Sequence, residues 1–245
     1  MLYTALAPLY DRIMTHVRYD LWHSLIDTIT DRYFDHRPTI LEIGGGTGML
    51  ATLLRSSGYT YYGSDLSFAM CKEARRRKAP FFCADARHLP LQGMVDLVIF
   101  LYDGINYLAA LEDYSQLFLE LYSHIKPGGY FLFDITTETN SETYFADIVD
   151  SDDFGYATYT RHSYYDKEHR IQNNDFTIYF RHTGYDDLYL KKKEHHRQHI
   201  FSVEEISKAV PEDLYIISEI WDNFTCNDYT SESERIHFLI RKRQP

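Results

Sequence analysis

The sequence predicts an α/β protein: a doubly wound sheet of seven strands that ends in an antiparallel hairpin and carries a small inserted antiparallel β-meander. Three observations carry this expectation. The stretch Thr39 to Leu54, TILEIGGGTGMLATLL, reads as strand, glycine turn and helix. Further strand-then-helix units follow it in one order up to Ile135. Beyond Asp153 the apolar period shortens to the two-residue alternation of strands. The order of the first units is that of a Rossmann-like sheet.

Composition narrows the function classes. A chain of 245 residues, 44% hydrophobic and 25% charged, can bury one good core and still carry one insertion. A net charge of -11 argues against nucleic acid as substrate, because neutralising phosphates needs a basic surface. The basic runs Arg75 to Lys78 and Lys191 to Lys193 are short and read as solvated faces. Cys71, Cys83 and Cys226 show no paired spacing, which fits reduced thiols in a cytoplasmic protein. No apolar run reaches the ~20 residues of a membrane span, so no membrane partner is expected. Twenty-two tyrosines and fifteen phenylalanines exceed what such a core usually needs, and some are expected to line a pocket.

The glycine turn admits several readings until its spacing is counted. Glycines turn the backbone at positive φ and leave no Cβ between the main chain and a ligand. A dinucleotide fingerprint, Gly-x-Gly-x-x-Gly, would place its third glycine at Met49. The motif present is Glu42-x-Gly44-x-Gly46-x-Gly48 with Gly45 between, and it resembles the first motif of class I S-adenosylmethionine (SAM) dependent methyltransferases. The resemblance implies SAM as cofactor, bound near Glu42, Gly44, Gly45, Gly46 and Gly48. Ahead of the turn, Leu2, Leu6, Leu9, Ile13, Val17, Leu21, Leu25 and Ile29 mark helical segments. Within them Tyr3, Tyr10, Asp11, Tyr19 and Trp22 resemble the segment that folds over the cofactor in small-molecule members, where Tyr10 would touch the methionine end. Packing aromatics are the other reading of the same residues.

The following units keep the resemblance. Asp65 stands 19 residues after Gly46, at the end of the strand Tyr59 to Gly63, where a carboxylate can accept from both ribose hydroxyls. It would otherwise cap the helix Phe68 to Lys78, a role that Ser67 is able to fill. Leu66 and Met70 fall where the family packs the adenosyl group, although a methionine there also suits a core. Asp85 ends the strand Pro80 to Ala84, and the family would use its carboxylate and the Ala86 amide on the adenine edge. Arg87 to Pro90 resembles the end of that motif. The buried strand Asp96 to Leu101 runs into Tyr102-Asp103-Gly104-Ile105-Asn106-Tyr107-Leu108, similar to a family segment bordering sulfonium and substrate. Leu101, Tyr102 and Asn106 are therefore expected at the cofactor. The helix Tyr114 to Ile125, the turn Lys126-Pro127-Gly128-Gly129 and the strand Tyr130 to Ile135 complete the parallel part.

Residues 136 to 153 are polar and give no clear element. Ala157 to Asp166, Arg170 to Thr183 and Leu188 to Phe201 then alternate as a three-stranded meander, broken at Asp-Lys-Glu and Gly-Tyr-Asp-Asp. Alternation places His195, Arg197 and His199 on one face and Glu194, His196 and Gln198 on the other. The histidine spacing matches no common zinc signature, and no metal is expected. Ser202-Val203-Glu204-Glu205 is a capping box before a short helix that Pro211 ends. Leu214 to Trp221 and Arg235 to Arg241 form the closing hairpin. The expected division is a SAM-binding core of residues 1–135 and 202–245, with 1–35 folding over the cofactor, and a β lid of residues 136–201.

The expected function is cytoplasmic, SAM-dependent methyl transfer to a nitrogen or oxygen of a small molecule, by in-line displacement that needs mainly alignment and water exclusion. Tyr102, Asp103, His195 and His199 are the candidate catalytic groups. The partner is a small-molecule methyl acceptor, with neither nucleic acid nor membrane and with a homodimer as an allowed assembly. The alternatives are an NAD(P)-dependent oxidoreductase, disfavoured by Met49 and the closing hairpin, a non-catalytic SAM-binding protein, and a methyltransferase acting on a macromolecule.

Overall fold

A computed structural model describes residues 2–185 and 188–244. Met1, Asp186, Asp187 and Pro245 lie outside the described residues, among them two residues of the expected Gly-Tyr-Asp-Asp break and the outer limits of the expected core. The chain runs α1 (Tyr10–Ile13), α2 (Tyr19–Tyr33), β1 (Thr39–Glu42), α3 (Met49–Ser56), β2 (Thr60–Asp65), α4 (Phe68–Arg76), β3 (Phe81–Cys83) and β4 (Val95–Phe100). A 3-10 turn (Gly104–Tyr107) leads to α5 (Leu111–His124), β5 (Ile125–Thr136), α6 (Glu138–Tyr144), β6 (Asp147–Asp153), β7 (Ala157–Asp166), β8 (Ile171–Arg181) and β9 (Tyr189–His199). Then come α7 (Val203–Ala209), β10 (Tyr215–Asp222) and β11 (Arg235–Lys242).

Seven strands form the main sheet in the order β10-β11-β5-β4-β1-β2-β3. β3, β2, β1, β4 and β5 pair in parallel, whereas β11 is antiparallel to both β5 and β10. Parallel strands covered on both faces are near-continuously apolar, and all six residues of β4 are buried, including Asp96, which bonds to Thr39 and Lys126. Its side chains divide by alternation. Val98 and Phe100 join Tyr114, Leu117, Phe118 and Leu121 of α5. Leu97 and Ile99 join Ile26 and Ile29 of α2 and Leu50 and Leu54 of α3 on the other face. The strand order reverses between β1 and β4, so their following loops diverge and leave a crevice at the carboxyl ends.

Three details differ from expectation. Lys126 to Gly129 is a bulge inside β5 rather than a separating turn. Pairing jumps from Val95–Ile125 to Leu97–Tyr130, with Gly128 at φ 78°. The second sheet, β6-β7-β8-β9, has four strands and not three. Its extra strand β6 is exposed along nearly all its length and so shows no apolar alternation; it is held by its ladder to β7 and by ion pairs from Asp150 to Arg161 and Asp147 to His162. The N-terminal apolar stripe serves two surfaces, since Leu6 and Leu9 pack on Tyr159, Phe176 and Ile178 of the second sheet while Leu25 and Ile29 face the main core. Among the described residues no helix is long and apolar enough to cross a membrane.

Two aromatic rings occupy the space that glycines leave free. A Cβ on Gly45 would stand 2.7 Å from the Phe81 ring, and one on Gly63 would overlap the same ring. The Phe100 ring lies likewise against Gly44 and Gly104. Gly63→Ala is therefore expected to cost about 1–3 kcal/mol through overpacking, read as a lowered urea midpoint. Gly93→Ala, which meets nothing within 4 Å, should leave the midpoint within error; equal midpoints for both variants would show that the ring yields.

Candidate active site

The glycine turn is fastened to the tip of β2 by one carboxylate. Asp65 accepts from the Gly46 amide at 3.0 Å and from the Ser67 amide at 2.7 Å. Gly44, Gly46 and Gly48 take φ values of 64°, 56° and 78°, a region costly for side-chain-bearing residues. Ser67 caps α4 by accepting from the Met70 amide, which leaves Asp65 free of that task. Burial pushes the Asp65 carboxyl up to about 6, although the two amides favour its charge. Beneath the turn, the Tyr61 hydroxyl donates to the buried Glu42, whose carboxyl rises to about 7.

Three adjoining chambers open at the strand tips, and Tyr10 and Tyr102 line all of them. The first, about 320 Å³, is walled by Gly44, Asp65, Leu66, Met70, Asp85 and Ala86, with Gly46 and Leu101 at its inner end. A narrow second space of about 50 Å³ lies between Glu42, Gly45, Tyr19 and Trp22. The third, about 410 Å³, opens between the 3-10 turn and the second sheet. The sequence-derived cofactor positions thus converge on the first two chambers, with two exceptions. Gly48 packs against Ala74 of α4, where a Cβ would come within 3.1 Å, and lines none of the three chambers. Asn106 is fully buried and spends its amide on Thr136 and the His199 carbonyl, so it holds the 3-10 turn to β5 and β9 and lines none of these chambers. Asp85 is also more occupied than expected. Arg87 grips both its oxygens and reaches Asp113 with its remaining nitrogen, and the Arg87 bonds hold the Asp85 carboxyl below its usual range.

Tyr102 and Asp103 follow β4 in consecutive left-handed conformations, φ 60° and 50°. Strain of this kind persists where surroundings fix it. Here the Asp103 amide donates to Asp134 at 2.8 Å, and its carboxylate pairs with Arg235 and accepts from Gln198. The Arg235 guanidinium lies between Asp103 and Asp134 and over the rings of Tyr102 and Trp22.

The second sheet presents Gln172, Asn174, Phe176, His196 and Gln198 to the third chamber. His195 and His199, both expected at the reaction centre, are on the opposite face. His195 is exposed and paired with Asp175, and the His199 ring stacks on Phe201. Alternation divided the strand correctly but could not say which face turned inward. A usable signal lay in β8, where Phe176 and Ile178 share a side and Phe176 opposes Glu194 in register. Tyr3, Tyr107, Arg161 and Arg235 also line the chamber and had no sequence motif to mark them as a set. Among the described residues no group of three or more His, Cys, Asp or Glu side chains is placed to hold a metal ion.

The raised Glu42 carboxyl has a measurable consequence. A group whose folded value lies above its unfolded 4.5 contributes stability that is whole below 4.5 and lost as pH rises through about 7. Burial is the main cause, the neighbouring Asp65 charge adds to it, and the Tyr61 bond opposes it. Relative to Glu42→Gln, the cofactor-free parent is expected to lose on the order of 2–3 kcal/mol between pH 4.5 and 8. Urea titrations of both across that range check this, and a pH-independent difference would mean that Glu42 ionises as an exposed carboxyl does.

Comparison with known proteins agrees with this layout. Residues 40–129 match the family described as methyltransferase domain. A provisionally named methyltransferase of Geobacillus sp. (strain WCH70) is 28% identical over 250 residues, covering 99% of this chain and 100% of that protein. Among solved structures, a SAM-dependent methyltransferase from Clostridium acetobutylicum ATCC 824 is 22% identical, covers 100% of both chains and superposes with a TM-score of 0.81. The sugar N-methyltransferase KedS8 from Streptoalloteichus sp ATCC 53650 is 16% identical, with 96% of this chain and 93% of that one covered and a TM-score of 0.76. These two structures share the fold. The matched domain and the full-length relative support a SAM-dependent methyltransferase on that fold, with SAM as its cofactor.

Proposed function

We propose that the protein transfers the SAM methyl group to a nitrogen or oxygen of a small molecule held in the third chamber. The observation that carries this is the meeting of three chambers at Tyr10 and Tyr102: one lined by Asp65, Leu66, Met70 and Asp85, one beside Glu42, and one walled by the second sheet. In this reading Asp65 accepts from the ribose hydroxyls, and Asp85 and Ala86 meet the adenine edge beside Leu66 and Met70. Gly44, Gly45 and Gly46 admit the methionine portion, with Glu42 below and Tyr10 above. Leu101 and Tyr102 border the sulfonium, whose positive charge suits an aromatic surround. Residues 136–201 form the substrate lid.

The third chamber supports a small acceptor. About 410 Å³ lies within the usual range of small-molecule sites; Gln172 and Gln198 are bonded to Ser141, Asp103 and each other, which leaves the Asn140 Oδ1 and Asn174 Nδ2 ends of its carboxamide lining for polar groups. The sugar specificity in the name of the Streptoalloteichus neighbour is consistent with such an acceptor. Methyl transfer from a sulfonium has a neutral leaving group, so the residues chiefly align nucleophile, carbon and sulfur and keep water out.

Asp65→Ala is expected to weaken SAM binding by roughly ten- to a hundredfold, the worth of lost charge-assisted hydrogen bonds of about 1.5–3 kcal/mol. Asp85→Ala should act in the same direction and additionally free Arg87. Calorimetry of SAM with each variant tests this, and parental affinity in both would refute the placement of the adenosyl group. Release of S-adenosylhomocysteine, followed across a panel of amines, amino sugars and alcohols, tests the acceptor class; turnover confined to a protein or nucleic-acid acceptor would overturn it.

A further inference from the structure

Four side chains at the junction of the first and third chambers form a continuous hydrogen-bonded line. Tyr3 and Tyr107 each border both chambers, and their hydroxyls are 2.6 Å apart. The Tyr107 hydroxyl lies 3.4 Å from Nδ1 of His196, and Nε2 of His196 lies 3.1 Å from Glu194. Glu194 spends its other oxygen on the amides of Ala5 and Leu6. Resting on the methyl-transfer reading above, we propose that Tyr3, Tyr107, His196 and Glu194 are a proton relay that removes the acceptor's proton, with His196 as its terminal base.

The directions of the bonds follow from the partners. Glu194 stays ionised: burial opposes its charge, but the bond from His196 and the Ala5 and Leu6 amides hold its carboxyl below the usual range. The imidazole therefore donates from Nε2 and keeps Nδ1 open as an acceptor toward Tyr107. Burial pushes both tyrosine hydroxyls well above their ordinary range, so they stay protonated and pass a proton along instead of serving as phenolates. Asp103, the nearest carboxylate on the core side, is unsuited to the task because Arg235 and Gln198 occupy its oxygens. In the balanced step, the acceptor's nitrogen or oxygen forms a bond to the methyl carbon as the carbon–sulfur bond breaks. That bonding pair leaves as the sulfur lone pair of S-adenosylhomocysteine. The acceptor's proton moves to a tyrosine oxygen as that hydroxyl's own proton moves on, ending on Nδ1 of His196 as an imidazolium beside Glu194.

Other groups around His196 have to be separated from it in any test. Tyr3 packs on its ring with centroids 4.4 Å apart, Phe176 faces it from β8, and Arg161 from β7 lies over the far side of Phe176. Asp103 and Arg235 share the chamber. Glu42, Asp65 and Asp134, all raised by burial, also gain protons as the pH falls, so the contribution of His196 is read as the difference between parent and variant for two ligands on one protein. S-adenosylhomocysteine has nothing at the methyl position, whereas sinefungin carries an ammonium there. A protonated His196 repels that ammonium and a neutral one does not.

Calorimetry with both ligands on the full chain at pH 8 and pH 5.5 should show, beyond what those carboxyls cause, a roughly tenfold extra fall in the sinefungin preference. His196→Gln should flatten that fall while leaving S-adenosylhomocysteine affinity unchanged. Glu194→Gln keeps an oxygen for the Ala5 and Leu6 amides but removes the charge beside His196 and should shrink the extra fall, so it decides the matter if the His196 variant does not fold. An equal fall in parent and His196→Gln, or an undiminished extra fall in Glu194→Gln, overturns the relay while leaving cofactor binding intact. Failure of both ligands to bind the parent overturns the underlying methyl-transfer reading, and the relay with it.

Discussion

Arg235 is the cation on which the arrangement of the site depends. Its guanidinium joins Asp134 at the end of β5 to Asp103 after β4, and β11 delivers it there by pairing Arg235 with Thr136 in register. A guanidinium withdrawn from water needs partners on its own plane, and two carboxylates supply them. Their charges do not balance. Two acids face one base, and burial together with Asp103 raises the Asp134 carboxyl to about 6 despite Arg235. The pairing fixes Asp103 in its left-handed conformation, and Asp103 in turn receives Gln198 from the second sheet. One buried cation thereby sets the β4 tip, the closing hairpin and the wall of the third chamber relative to each other.

The glycines near the site answer to two constraints at once. Positive φ at Gly44 and Gly46 turns the chain sharply after β1, and the missing Cβ atoms of Gly44 and Gly45 make room for the rings of Phe100 and Phe81. Those rings belong to β4, which pairs with β1, and to β3, one strand beyond β2. The turn is therefore held in place from beneath by packing and from the β2 tip by Asp65, and the amides above it stay at a fixed height. Preorganisation of this kind matters for a reaction whose catalysis is mostly alignment.

Legibility in the sequence followed the physics of each element. Parallel strands buried on both faces must be apolar, and the polar residue that ends each one stands out against that background. Asp65 and Asp85 were legible as the acids that close the second and third strand units, and the glycine turn and the closing hairpin by their own punctuation. The exposed strand β6 buries little of either face and carries four aspartates among seven residues, which reads as a loop. In β9 both faces are polar, so alternation gave two sets and no inside; the set containing His195 and His199 turned outward, and the set containing Glu194, His196 and Gln198 turned in. Asn106 was misplaced by motif position, because a buried amide that bridges Thr136 and His199 looks in sequence like one poised at a ligand. Arg235 was beyond reach of any local pattern, with its two carboxylates 101 and 132 residues away.

The N-terminal segment ties the two halves of the site into one mechanical unit. Asp11 is bound by Arg77 after α4 and by Thr47 of the glycine turn, which anchors the segment to the cofactor side. Leu6 and Leu9 lie in the apolar cluster of the second sheet, and Glu194 accepts from the Ala5 and Leu6 amides, which anchors it to the wall of the third chamber. Tyr3 and Tyr10 stand between these anchors, edge to face, at the boundary of the chambers. The apolar anchor is non-directional and tolerates sliding, whereas the carboxylate anchors are short and directional and do not. Register between the two chambers is consequently set by Asp11 and Glu194, and the aromatic rings between them inherit their positions from those two carboxylates.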